Sequence, residues 1–241
     1  MCRPFAIATM ACLAVALANP QPAATTAAQT KVGVIEGRVI YEGAPPAPTF
    51  VIEGGRTQHV LYVDKSGGLQ YAIVFLNDSR VGATSTTPAV LNQRDFIFEP
   101  QVLAVDAGQP VRFTSDDPAN HNVRSSDANP TNAFSVNTAA GAPAPPPHRF
   151  ARTPPDRPVV LSCDIHPWMI AWVYAFDRQT FAVTDARGRF RLENVPPGRY
   201  RLGVRQPAGR LTRDAMVQVR AAGSAWVEVR FKAADLGAAA R

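Results

Sequence analysis

Cys163-Asp164-Ile165-His166-Pro167-Trp168-Met169 sets a thiol, an imidazole and a thioether at three-residue intervals within one short stretch. Apolar, strand-like segments flank it. Residues 159–163 lead in, and 170–176 lead out with Ile170, Trp172, Tyr174 and Phe176 alternating with Ala171, Val173 and Ala175. A strand that is apolar on both faces belongs between two packed layers. The heptapeptide is therefore expected to be a tight loop between two strands, which can turn its three donor side chains toward one point. Well upstream, after a strand at 111–114, the loop 117–123 carries His121-Asn122-Val123 and offers a second imidazole.

Two imidazoles and a thiolate in one plane, with a weak axial thioether, suit copper in electron transfer, because soft sulfur favours the reduced ion and imidazole tolerates the oxidised one. The expected ligands are His121, Cys163, His166 and Met169, around a single type 1 copper cycling between Cu+ and Cu2+. Each residue also has a plainer reading by itself: Cys163 as a buried inert thiol, His121 as a polar loop residue, Met169 as core packing beside Trp172. Their combination is what singles them out. His59 and His148 lack a neighbouring donor at metal-binding spacing and read as ordinary surface residues, while Met216 reads as packing ahead of a strand. A structural zinc site usually needs four strong ligands, and one cysteine with two histidines falls short unless a carboxylate joins. A Cys–His nucleophile has no use for Met169, and a multicopper oxidase needs more than the four histidines present. No enzymatic reaction is expected.

Cysteine usage bears on compartment. Arg3, an apolar run over 5–18 and the small-x-small triplet Ala16-Leu17-Ala18 read as a signal peptide over 1–18, followed by a flexible leader at 19–31. Lipidation of Cys12 is the weaker alternative, since Thr9-Met10-Ala11 match the residues before such a cysteine poorly. Removing the signal takes Cys2 and Cys12 with it and leaves Cys163 alone. In an oxidising compartment a lone thiol cannot form an internal disulfide, so it must be buried, paired with another chain or bound to metal. The expected location is periplasmic or secreted, with no later stretch long enough to cross a bilayer. The net charge of +6 comes mostly from arginines scattered among strands. That argues against a nucleic-acid surface and favours an acidic partner.

The rest of the chain reads as strand after strand. Twenty-two prolines and sixteen glycines in 241 residues favour turns over long helices. Strands are expected at 32–41, 60–63, 69–76, 90–98, 101–105 and 111–114, with loop throughout 116–147. A third group runs from 181–184 through the turn Asp185-Ala186-Arg187-Gly188 to 226–231. Short strands at this spacing imply sandwiches. The expected fold class is all-β.

Residues 89–177 resemble the cupredoxin family, within it most closely the amicyanin and methylamine-utilisation group. The residues carrying the likeness are Phe98-Glu99-Pro100, 105–111, His121-Asn122-Val123 and the Cys-x-x-His-x-x-Met loop. The resemblance implies a Greek-key copper sandwich over 86–177. It also implies that Asn122 ties the two ligand loops together and that Pro167 shapes the surroundings of His166. By resemblance, Pro167 and Trp168 supply an apolar docking patch, and the partner is a c-type cytochrome or a dehydrogenase. Phe96 and Gln101 stand where multi-part relatives carry Cys or His. The stretch 183–200 resembles a carboxypeptidase regulatory-like domain, as does the opening strand at 34–39. Segments 32–80 and 178–232 are thus expected to form one split sandwich, with the copper unit inserted. Two other functions stay open: a copper carrier or store without redox turnover, and a metal-free scaffold or adhesion module.

Overall fold

The computed structural model describes residues 31–47, 50–52, 56–58, 61–77 and 84–237. The expected signal peptide with Cys12, nearly all of the leader, and His59 lie outside the described residues. Among those described there is no α-helix, and no helix is long and apolar enough to cross a membrane. The protein is all-β.

The chain opens with β1 (Gly33–Glu42), β2 (Phe50–Ile52), β3 (Arg56–Gln58) and β4 (Ile73–Leu76). Nine strands follow in the middle: β5 (Ala89–Arg94), β6 (Ile97–Glu99), β7 (Val102–Asp106), β8 (Pro110–Ser115), β9 (His121–Ser125), β10 (Phe134–Thr138), β11 (His148–Arg149), β12 (Val159–Ser162) and β13 (Ile170–Phe176). The last strands are β14 (Phe181–Val183), β15 (Arg189–Val195), β16 (Gly198–Gln206), β17 (Leu211–Val219) and β18 (Ser224–Lys232).

The middle strands form a five-stranded sheet, β10-β9-β12-β13-β7, facing a four-stranded one, β11-β8-β5-β6. Leu91, Phe98, Val105, Val111, Phe113, Val123, Val159, Leu161, Ala171 and Val173 fill the space between them. Strands from the two ends of the chain build a second pair of sheets, β15-β1-β18 and β14-β4-β16-β17, around Ile35, Val39, Tyr41, Val74, Leu192, Leu202, Val204 and Phe231. β1 lies parallel to β18 and antiparallel to β15, so the two ends of the described chain close one sheet. The alternation of buried and half-buried residues along β1 puts Ile35, Val39 and Tyr41 inside, as the sequence pattern requires. The turn at 185–188 closes on Gly188 at φ +72°, where a Cβ would collide with the Val39 carbonyl.

β13 explains its own sequence. Ala171, Val173 and Ala175 face the middle core, whereas Tyr174 and Phe176 turn the other way and join Ile73 and Phe75 of β4 and Val102 of β7 in a third cluster. Phe176 stacks on Phe181 at 4.9 Å and tilts against Phe75 at 5.4 Å. The strand that leaves the donor loop is thus clamped by both sandwiches.

Three expectations about local structure need correction. The segment 90–98 is not one strand but a hairpin with the two-residue turn Asp95-Phe96, both at positive φ (56° and 62°). That geometry is the mirror-image turn that matches strand twist, although the Asp-Phe pair lacks the usual glycine. The supposed loop 116–147 contains β9 and β10. Their exposed faces are Arg124, Ser135 and Asn137, and this polarity masked the alternation with buried Val123 and half-buried Val136. Among the described residues, the strands expected at 60–63 and 69–76 reduce to β4 and a single bridge between Val63 and Leu69, with Val60 outside those residues.

Candidate metal centre

β9 runs beside β12, with Ser162 opposite Arg124, and this pairing carries His121 to the loop that follows β12. The loop turns tightly. The Met169 amide donates to the His166 carbonyl at 2.9 Å, and the Cys163 amide donates to the Met169 carbonyl at 3.3 Å. Cys163 (2% exposed), Met169 (0%) and His121 (1%) are buried, and His166 is half-buried at the rim.

The Cys163 sulfur lies 4.0 Å from His121 Nδ1 and 3.7 Å from His166 Nδ1, and the two Nδ1 atoms are 2.9 Å apart. Metal–nitrogen bonds of about 2.0–2.1 Å and a metal–sulfur bond of about 2.3 Å, set at about 120° in a plane, place N and S about 3.8 Å apart and the two N atoms about 3.5–3.6 Å apart. The two sulfur edges already have that size and the nitrogen–nitrogen edge has to open by about 0.6 Å, so the three donors fit one thiophilic ion. Met169 is buried in the same cluster as Cys163 and ends the same loop.

Hydrogen bonds settle which imidazole atom faces inward. His121 Nε2 lies 2.9 Å from Oδ2 of buried Asp117. An ionised carboxylate only accepts, so Nε2 carries a proton, and in the neutral imidazole this leaves the lone pair on Nδ1, the atom that faces Cys163 and His166. Asn122 bridges the two donor segments: its Oδ1 accepts from the Asp164 amide at 2.8 Å, and its Nδ2 donates to Asp164 Oδ2 at 2.8 Å. The Asn122 amide holds the Asp164 carboxyl below the usual carboxylate range, with help from Arg124. Trp168 Nε1 donates to the Phe96 carbonyl at 3.0 Å, and the Phe96 ring stands edge-on to both imidazoles. Pro167 is exposed beside His166, together with Ile165 at 55%.

Two expectations fail here. His148 is not an ordinary surface residue: its ring stacks on Phe134 at 4.1 Å and meets Phe150 edge-on, and its Nε2 is buried without a hydrogen-bond partner. Burial holds its pKa below the ordinary value of 6.5, against a hydrogen bond to the Thr131 backbone. A triple proline before it suggested an exposed loop, but β11 pairs with β8 and turns the ring inward. Met216 is 55% exposed on β17 and is not core packing. Asp117 went unread in the sequence. The signal was available, since an acid four residues before a candidate histidine ligand can reach its outer nitrogen.

No protein-family model matches the chain, and no curated protein matches it in sequence. Among solved structures, a copper-containing nitrite reductase from Thermus scotoductus is similar at 18% identity and TM-score 0.31, covering 57% of this chain. The chain spans 28% of that enzyme's length. A purple cupredoxin from Nitrosopumilus maritimus aligns at 20% identity and TM-score 0.24, over 36% of this chain and 99% of its own. Amicyanin from Paracoccus versutus aligns at 13% identity and TM-score 0.28, over 43% of this chain and 97% of its own.

Proposed function

We propose that this protein is an exported electron carrier of the blue-copper, cupredoxin type, with residues 86–177 as the copper domain and 32–80 with 178–232 as a split companion domain. The carrying observation is the triangle of His121 Nδ1, Cys163 Sγ and His166 Nδ1, whose three atoms lie within 4.8 Å of one another. These three residues would hold the ion, and Met169, buried in the same cluster as Cys163, would add a soft sulfur donor. A bound copper supplies a one-electron couple.

The chain's own residues do the remaining work. Asn122 pins the β9 segment to the loop at Asp164, so the donors are held by the sheet and not by the metal. Burial of Cys163 and Met169 keeps water from the sulfur donors. His166 sits at the rim, where exposed Ile165 and Pro167 form the apolar contact for a partner such as a c-type cytochrome or a dehydrogenase. Trp168 backs that patch, with its indole nitrogen tied to Phe96.

The deciding measurement is the visible spectrum of the protein after addition of Cu2+. An intense thiolate-to-copper band near the red, absent in Cys163→Ser, is expected, together with a reversible one-electron wave in voltammetry. A colourless protein that surrenders copper readily to chelators is a carrier or store. Failure to retain copper at all removes the metal reading and leaves a pair of β-sandwiches. For docking, Trp168→Ala with unchanged electron-exchange rates would discard that part of the proposal.

A further inference from the structure

Asp117 is almost wholly buried (8% exposed), and its carboxylate serves three groups at once. Oδ1 accepts from the Asp95 amide at 2.6 Å, and Oδ2 accepts from the Phe96 amide at 3.0 Å while lying 2.9 Å from His121 Nε2. Asp95 and Phe96 are the tip of the β5–β6 hairpin, both in the left-handed region that residues with a Cβ adopt only when something holds them there. From this tip the Phe96 ring reaches over the donors, its centroid 5.7 Å from that of His121 and 5.2 Å from that of His166. The Phe96 carbonyl is held in turn by the Trp168 indole N–H.

A buried carboxylate is tolerated only when donors surround it. Here the donors are two amides of a strained turn and one imidazole N–H, so loss of any one weakens the setting of the others. We propose that Asp117 is a positioning residue acting as one latch on two parts of the site. It fixes His121 as the Nε2–H tautomer, with the Nδ1 lone pair facing Cys163 and His166. It also locks the 95–96 turn, so that Phe96 caps both imidazole rings and keeps water and small anions off that side. The ligand and the cap are therefore coupled: whatever opens the turn also frees the His121 ring. The significance of the latch rests on the metal-centre reading. Its structural content does not, because it holds without an ion.

The test uses the full-length, metal-free protein. In the native chain, long-range 1H–15N correlation spectra should show His121 as the Nε2–H tautomer. Couplings across the hydrogen bonds should link the Asp95 and Phe96 amides to the Asp117 carboxyl carbon. In Asp117→Asn, the tautomers should mix, and exchange of the Asp95 and Phe96 amides should rise about tenfold or more, as befits hydrogen bonds to a charged group. A native Nδ1–H tautomer overturns the proposal. So does a variant in which the tautomer shifts while amide exchange at 95 and 96 stays fixed, since that separates cap from ligand. If Asp117→Asn does not fold, the native-chain tautomer and couplings still decide. Copper binding plays no part in these readouts, so failure of the metal reading shows separately in the Cu2+ titration.

Discussion

Arg205 Nε lies 2.6 Å from the Asp156 carboxylate, and Nη1 of the same guanidinium lies 2.8 Å from that of Asp214. Asp156 belongs to the segment leading into β12 of the middle sandwich, whereas Arg205 and Asp214 sit on β16 and β17 of the other. The arginine side chain is 10% exposed and lies over the Phe75 ring at 5.5 Å. A single cation thus joins the two sandwiches beside the aromatic cluster of Tyr174 and Phe176. Burial works against its charge, but hydrogen bonds to Asp214 and Asp156 prevail and hold the pKa above the ordinary arginine value.

Removing the cation should therefore cost more than removing its exposed partner. Arg205→Met is expected to lower stability by about 1–3 kcal/mol, because Asp214 loses its hydrogen bond from the guanidinium and the packing over Phe75 changes. Asp156, 71% exposed, should cost less than about 1 kcal/mol as Asp156→Ala. Urea denaturation of the two variants checks the order, and a reversed order would deny Arg205 its place as the junction.

Met169 serves packing and, by the proposal, the metal, and two variants separate these roles. Met169→Leu conserves volume and should cost less than about 1.5 kcal/mol. Met169→Ala empties a fully buried site and should cost about 2–5 kcal/mol. With copper bound, Met169→Leu should raise the reduction potential, since removing a donor leaves three ligands, a low coordination number that the reduced ion tolerates better than the oxidised one. An unchanged potential would take Met169 out of the donor set.

Asn122 is the link between His121 and the Cys163 loop. Asn122→Ala removes both bonds to Asp164 and strands the Asp164 amide, at about 1–3 kcal/mol. Chemical denaturation should record that loss, and copper retention should fall with it. Because Asn122 and then Arg124 hold the Asp164 pKa down, this carboxylate supports the fold at neutral pH. Its contribution fades as the pH falls through the folded pKa, below about 4.

His148 sets a second, higher pH window. Burial lowers its folded pKa below 6.5, the hydrogen bond to the Thr131 backbone opposing, so the unfolded chain takes up the proton first. The stabilisation is whole above the unfolded pKa and shrinks as the pH drops from 6.5 toward the folded pKa. Thermal denaturation of the metal-free protein from about pH 7.5 down to about pH 5 (about one unit above to about one and a half below the ordinary value) should show falling stability. His148→Phe should flatten the slope, and an equally steep slope in that variant would assign the effect to other groups.

The donor loop and the strands around it were legible because their information is local. A three-residue repeat of Cys, His and Met and the alternation in β1 and β13 can be read within ten residues. The double-faced apolarity of β13 announced two cores, and the sheets pack around it accordingly: Ala171 and Val173 on one side, Tyr174 and Phe176 on the other. The polar strands β9 and β10 were hidden because Asn, Ser and Arg at exposed positions look like loop.

Sequence by itself determined the all-β class, the candidate donors His121, Cys163, His166 and Met169, and the tight turn that gathers the last three. Only the tertiary structure decided that Asp117 meets Asp95, Phe96 and His121, that the Phe96 ring stands edge-on to both imidazoles, and that Arg205 spans the two sandwiches. The physical reason is range. A loop's donors are set by the chain's own spacing, whereas a buried carboxylate finds its amides, and a cation its distant acid, only once strand pairing has brought remote segments within hydrogen-bond reach.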